Sequence, residues 1–215
     1  MGKGGHVTPK SGVIVIGASG HAKVCIEILR ASGFFVDYCV GQDGSPETCL
    51  GIPVLTGDEH LASLAGRGYS KIFLAIGTNR TRERLAAVAM ELGYELLNAI
   101  SPHAVVSPSA KLGRGIAVMP GAVIQAEAAV EDLAIINTGS TVDHDCEIGK
   151  AAHLGPRCAL AGNVVVGPRC LLGTGTVVIP GVVIGSDAVI GAGGVVISDI
   201  PAGATAVGVP ARAVK

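Results

Sequence analysis

The stretch VVVGPRCLLGTGTVVIPGVVIGSDAVIGAGGVV, Val164–Val196, decides the fold. Its branched residues neither alternate as in a half-buried strand nor fall three and four apart as on a helix. Val166, Leu172, Val178, Ile184, Ile190 and Val196 stand six apart. Followed backwards, the comb runs without a gap through Leu160, Leu154, Ile148, Val142, Ile136, Val130, Ile124, Val118 and Leu112 to Val106. Four positions after each tooth the residue is usually small, as at Ala122, Ala134, Ser140, Cys146, Ala152, Cys158 and Cys170. Gly often follows the tooth directly, as at Gly149, Gly155, Gly167, Gly173 and Gly185. A hexapeptide period predicts a prism-shaped parallel β-helix, three faces making a coil of about 18 residues. The branched residue fills the interior, the small one fits near a corner, and 106–196 makes about five coils.

Composition agrees with a narrow core. The 215 residues are 49% hydrophobic but 3% aromatic, with 32 Gly and no Trp. A formal net charge of −1 gives no electrostatic basis for binding nucleic acid or an anionic membrane. No apolar run is long enough to span a bilayer, and the opening MGKGGHVTPK lacks the apolar core of a secretory signal. Six Cys without a CxxC pair fit reduced thiols, so a cytoplasmic location is expected. Cys146, Cys158 and Cys170 take the small inward position and are expected to be packing residues.

Upstream, residues 12–98 alternate strand-like and helix-like segments: VIVIG, then GHAKVCIEILRASG with Val24, Ile28 and Leu29 on one face and Gly33 as its stop, then FFVDYCV. GIPVL, DEHLASLAGRG, KIFLAIG, NRTRERLAAVAMELG and YELLNAI follow as strand, helix, strand, helix and strand; the second-last carries its charges on an outer face. This predicts a Rossmann-like α/β unit. The expected layout is a flexible N terminus (1–11), a Rossmann-like domain (12–100), an all-β parallel β-helix domain (101–200) and a tail (201–215) that leaves the prism.

Two motifs carry chemistry. In NTGSTVDHDCEIG, His144 stands two positions after the tooth Val142 and so points outward, and one coil later the equivalent position is Gly162, which leaves space beside the imidazole. A neutral His can accept a proton from an attacking nucleophile, and Asp143 or Asp145 can hold its other nitrogen. In GASGHAK, a strand ends and a helix begins, so backbone N–H groups at Ser19, Gly20 and His21 suit a phosphate. Gly77, in AIGTN, closes the same strand-end crevice. His153 lies half a coil from His144, on a different flank. A three-histidine metal site is not expected, because the comb holds only His144 and His153.

The comb with GVPARAVK after it resembles the hexapeptide-repeat acyltransferases, whose β-helix is left-handed. With VIVIGASGHAK, AIGTN, NTGSTVDHDCEIG, HLGPRCALAGN and VGVPA in order, nearly the whole chain resembles bacterial sugar-nucleotide N-acetyltransferases. These acetylate the 4-amino group of bacillosamine and perosamine precursors and have sialic-acid O-acetyltransferase relatives. The resemblance implies acetyl transfer from acetyl-CoA to the 4-amino group of a nucleotide-linked amino-deoxy sugar, GDP-perosamine or similar, for surface polysaccharide or glycan synthesis. It assigns His144 as the base and Asp145 as its support. It places acetyl-CoA between the subunits of a homotrimer, with His153 at the acetyl group and Gly162, Asn163, Gly173 and Thr174 along the pantetheine arm. It implies two adjacent acids after the second strand, one reading the base; here Gln42 stands in the first place and Asp43 in the second. It implies that Asn137 faces the sugar. Weakly charged flat surface at Val177, Val183 and Val195 fits the trimer. Two other readings stand beside this one: O-acetylation of a sialic-acid-like sugar, and a nucleotide-binding β-helix without turnover. The His144–carboxylate motif argues against the second.

Overall fold

A computed structural model describes residues 10–214. Of the segment expected as a flexible terminus, positions 1–9 lie outside the described residues, and Lys10 and Ser11 already belong to the first strand.

The N-terminal half runs β1 (Lys10–Ile16), α1 (Gly20–Ala31), β2 (Val36–Gly41), β3 (Thr48–Cys49), β4 (Ile52–Thr56), α2 (His60–Gly66), β5 (Tyr69–Leu74), α3 (Asn79–Glu91) and β6 (Glu95–Leu96). The sheet order is β3-β4-β2-β1-β5-β6, with every pairing parallel except the β3–β4 hairpin. The order reverses beside β1, which opens a crevice at the carboxyl ends of β1, β2 and β5.

The expected face of α1 needs correction. Its buried residues are Ala22, Cys25, Ile26, Ile28 and Leu29, while Val24 is exposed. Positions 22, 25, 26 and 29 form the stripe because α1 packs between the sheet and the prism. YELLNAI is likewise two strands: Glu95–Leu96 finishes the first sheet, and Ala99–Ile100 is already the first rung of the prism.

The comb builds the prism as expected. Parallel pairs such as Ala117 with Ile135, Val123 with Thr141 and Ala129 with Glu147 repeat up the three faces, each pair one 18-residue coil apart. The three sheets hold eight, six and five strands. Call them the first, second and third face, beginning with Ala99–Ile100, Val105–Val106 and Lys111–Leu112. Every comb residue from Val118 to Val196 is buried. Val106 and Leu112 are half-buried because they open the second and third faces at the prism's end. The small position is equally closed, with Ser140, Cys146, Ala152, Cys158 and Cys170 all at 0% exposure. Ser140 Oγ donates to the Gly155 carbonyl at 2.8 Å, and the thiols of Cys146, Cys158 and Cys170 point at the carbonyls of Ala161, Gly173 and Gly185. All six cysteines are free, and these three pack the interior.

The tail does not leave the prism. Thr205–Val207 extends the first face in parallel with Val189–Ile190, and Arg212–Val214 returns antiparallel to cap it. The Rossmann-like unit lies on the other end of that face. Its outward residues Ala99, Ala117 and Ile135 are buried in one cluster with α1 and β1. His153 is the next outward residue, where the first face emerges from under the N-terminal unit.

Truncating one tooth tests this packing. Leu154→Ala, at a fully buried site, is expected to cost about 2–5 kcal/mol in denaturant unfolding. A loss near zero contradicts a closely packed prism.

Candidate active site

His144 follows the strand Thr141–Val142 and sits at the corner between the second and third faces. Asp145 has φ 57°, and this left-handed turn folds its carboxylate back onto the ring. Its Oδ2 lies 2.8 Å from His144 Nδ1. A carboxylate only accepts, so Nδ1 carries the proton and Nε2 is left as the acceptor. Asp143 takes the other role open to it, accepting from the His144 backbone N–H at 2.8 Å. The hydrogen bond that the ring donates to Asp145 raises the His144 pKa above its ordinary value, with the charges of Asp143 and Asp145 adding to it. Gly162 supplies the expected space. A Cβ there would stand 2.5 Å from Cε1 and 2.6 Å from Nε2, so the imidazole lies against a bare Cα. Asn163 follows in the left-handed region at φ 60° and donates its backbone N–H to the His144 carbonyl.

A second cluster forms at the seam between the two units. It joins His21 from α1, Gly77 from the β5–α3 loop, Asn137 from one prism corner and His153 from the first face. The His21 and His153 rings lie 6.5 Å apart. His153 Nδ1 is 3.3 Å from the Gly77 carbonyl, and Nε2 is 3.1 Å from Asn137 Nδ2. Burial, then the charge of Arg82, lowers both imidazoles to about 4, so both are neutral at pH 7. His153 forms one wall of a cleft of about 490 Å³ that runs along Leu171 and Val189 and is flanked by Arg80, Arg169 and Asp187.

The strand-end crevice, about 320 Å³, is lined by Gly17, Ala18, Ser19, Gln42, Asp43, Ser45 and Asp58. Gly17 has φ 115°, and a Cβ would stand 2.6 Å from the Ala75 carbonyl, so only Gly lets β1 turn into α1. Ser19 is the N-cap, Gly20 faces open space, and neither is buried. His21, expected at the phosphates through its backbone N–H, turns its ring toward His153.

The residues expected along the pantetheine arm fall on two corners. Gly162 and Asn163 lie one coil above His144. Gly173 and Thr174 follow the strand Leu171–Leu172 on the first face, two residues from the cleft wall. Thr174 is exposed. Coil stacking accounts for Gly173, because a Cβ there would stand 2.5 Å from the Ala192 nitrogen. Among the described residues, no group of three His, Cys, Asp or Glu is placed to hold a metal ion. No helix among them is long and apolar enough to cross a membrane.

Arg82 was expected on the outer face of its helix and is instead 1% exposed. The signal was present: 82, 85, 86 and 89 are the i, i+3, i+4, i+7 stripe of α3, and the last three are Leu, Ala and Ala. The charged residues around it were also missed. Glu83 pairs with Lys150 at 3.0 Å, and Asp187 takes Arg80 at 2.7 Å and Arg169 at 2.8 Å, joining α3 to three successive turns along one prism edge. Their partners lie far apart in sequence, where no local pattern pairs them.

Residues 12–89 match the family profile described as PglD N-terminal domain. PerB from Caulobacter crescentus, solved in complex with CoA and GDP-perosamine, is 53% identical, with 95% of this chain and 97% of that chain covered and a TM-score of 0.92. The acetyltransferase domain of PglB from Neisseria gonorrhoeae FA1090, in complex with acetyl coenzyme A, is 38% identical over 95% of this chain and 99% of that chain, with a TM-score of 0.88. WeeI from Acinetobacter baumannii AYE is 27% identical over 94% of this chain and 99% of that one, with a TM-score of 0.87. The fold they share with this chain is a short α/β unit followed by a left-handed parallel β-helix.

The His144–Asp145 pair generates a direct test. In Asp145→Asn the carboxylate that favours the imidazolium is gone, so the His144 pKa, followed by NMR, is expected to fall. In Gly162→Ala the ring must move off its 2.8 Å contact, and the same fall is expected. An unchanged pKa in both variants contradicts the pairing.

Proposed function

The chain belongs to the hexapeptide-repeat sugar-nucleotide N-acetyltransferases that include PerB and the PglB acetyltransferase domain, and on that premise we propose its reaction and its acceptor. It transfers the acetyl group of acetyl-CoA to the 4-amino group of a nucleotide-linked amino-deoxy sugar, with GDP-perosamine as the first acceptor to test. The observation that carries this reading is the His144 Nε2 lone pair, set by the 2.8 Å bond at Nδ1 and exposed over Gly162.

The neutral acceptor amine attacks the thioester carbonyl. A C–N bond forms, the C–S bond breaks, and coenzyme A leaves as thiolate. The amine proton passes to His144 Nε2, and the resulting imidazolium is held by Asp145. The thiolate is then reprotonated by the imidazolium or by water. The crevice at Ser19 and Gly20 takes the diphosphate on the N terminus of α1, with Gln42 and Asp43 at the far wall for the base. Asn137 offers its remaining amide N–H to the sugar. His153 contributes its ring to the cleft wall rather than a free N–H, because both nitrogens are engaged.

His144 and His153 lie on different flanks of one prism. A homotrimer brings the His144 corner of one copy against the first-face cleft of the next, which unites the two residue sets around one acetyl-CoA. The second face supports this: its outward residues Val105, Val123, Thr141, Ala159, Val177 and Val195 carry no charge. Val177 and Val183 are exposed as expected, Val195 is half-buried, and Ile179 and Ile197 extend the exposed apolar column beside His144. Light scattering is expected to give the trimer mass, and a stable monomer at micromolar concentration contradicts the shared site. The six free cysteines support a cytoplasmic setting.

Thiol release from acetyl-CoA across nucleotide-linked 4-amino sugars and their 4-hydroxy counterparts tests the reaction. Turnover with the amines alone is expected; turnover with a sialic-acid-like hydroxyl acceptor alone overturns it. His144→Ala is expected to lose about 10²-fold or more in kcat/KM, mostly in kcat. The base works only when neutral and its pKa is raised, so kcat/KM falls as pH drops through a value above the ordinary histidine pKa. Asp145→Asn moves that limb to lower pH, whereas His21 and His153, at about 4, do not contribute to it. An acid limb unmoved by Asp145→Asn removes His144 as the base.

A further inference from the structure

Arg82 spends every donor it has. Nε donates to the Leu133 carbonyl at 2.8 Å, Nη1 to the carbonyls of Ile76 at 2.8 Å and Gly77 at 3.1 Å, and Nη2 to the Ala151 carbonyl at 2.8 Å and Asn79 Oδ1 at 3.0 Å. A guanidinium has five N–H groups, and all five are used. Three acceptors belong to the β5–α3 loop and its helix, and two to prism corners, where Leu133 and Ala151 adopt φ 66° and 55°. The charge therefore sits in the seam and is bonded to both sides of it.

One of these acceptors leads to the site. The Gly77 carbonyl also faces His153 Nδ1 at 3.3 Å. A carbonyl only accepts, so Nδ1 must carry the ring proton. Nε2 is then an acceptor, and it takes Asn137 Nδ2–H at 3.1 Å. Asn137 Oδ1 is fixed in turn by the Thr138 backbone N–H at 2.8 Å. Each donor and acceptor in this chain follows from the one before it, beginning at the Gly77 carbonyl that the buried guanidinium holds. Nothing packs where a Gly77 side chain would be, so the carbonyl is held from beneath by Arg82 rather than from above. The other charged or titratable groups near His153 are His21 across 6.5 Å and, along the cleft, Arg80, Arg169 and Asp187. Among the hydrogen bonds of the described residues, none of these four reaches a His153 ring nitrogen, which leaves the tautomer to Gly77.

We propose that Arg82 is a positioning residue for the reaction, holding the Gly77 carbonyl and through it the Nδ1–H tautomer of His153 and the orientation of Asn137. The proposal rests on the acetyl-transfer reading for its kinetic consequence and on the geometry alone for its tautomer. Lysine is not a substitute, because one ammonium carries three donors at a point and cannot span five acceptors on two units.

The unaltered protein, labelled with ¹⁵N-histidine, gives the first readout. Ring shifts of His153 at neutral pH are expected to report the Nδ1–H form, and a dominant Nε2–H form overturns the proposal whether or not any variant folds. Arg82→Lys and Arg82→Gln give the second. Both are expected to release the His153 tautomer while the His144 shifts stay in place. Both should lower kcat/KM by about 10²-fold, the scale of a displaced contact remote from the chemistry. A residue with only a structural role gives a lower melting temperature with the His153 tautomer and turnover per folded molecule unchanged, and that result overturns the proposal. If the unaltered enzyme releases no coenzyme A with any amino sugar, the acetyl-transfer reading fails, while the ring shifts still decide what Arg82 does.

Discussion

The buried guanidinium of Arg82 is the constraint on which the site depends. Taking a charge out of water is costly unless its hydrogen bonds are replaced. Here five neutral acceptors replace them, four of them backbone carbonyls. Burial lowers the Arg82 pKa only to about 10, so the charge is kept at neutral pH. Because the acceptors come from both units, a shift of either one strands donors in a dry seam, where an unmet group costs roughly 1–3 kcal/mol or more. The ion pairs of Glu83 and Asp187 outside this contact are partly exposed, and each contributes about 0–1 kcal/mol. They decorate a docking that the apolar cluster under α1 and the buried guanidinium already define.

That docking separates the histidines by environment. His144 stands in solvent beside a carboxylate, which favours the imidazolium and makes the ring a better base. His21 and His153 lie in the seam, where burial first and then the charge of Arg82 disfavour their protonation. One imidazole is thus prepared to receive a proton and two are kept from doing so. The same residue type thus stands in opposite electrostatic settings at the prism corner and at the domain junction, as the proposed base and the proposed alignment require.

The prism was legible because the period-six comb is a local, repeated demand of a narrow interior, and every tooth from Val118 onward is buried. The His144 corner was legible for the same reason: a fixed coil length puts Gly162 above His144 without any knowledge of the rest of the chain. The docking of the two units was not. It rests on single residues from distant segments, such as Arg82 against Leu133 and Ala151, or Asn79 against the Arg169 carbonyl. Val24 was misplaced because α1 turns the 22, 25, 26, 29 stripe toward the sheet and the prism, whereas Arg82 was misplaced because its charge was read as outward although it stands on the apolar stripe of α3. The tail was misread because Pro and Gly hid the three-residue strand Thr205–Val207 that closes the first face.

The most direct measurement is a structure of the enzyme with coenzyme A and a GDP-linked 4-amino sugar bound together. The acceptor nitrogen is expected within hydrogen-bond reach of His144 Nε2, roughly 3 Å, with the thiol from the same cleft pointing at it and the His153 ring of a neighbouring copy beside it. An acceptor nitrogen seated away from His144, with its nearest base elsewhere, would contradict the assignment of the reaction to this corner.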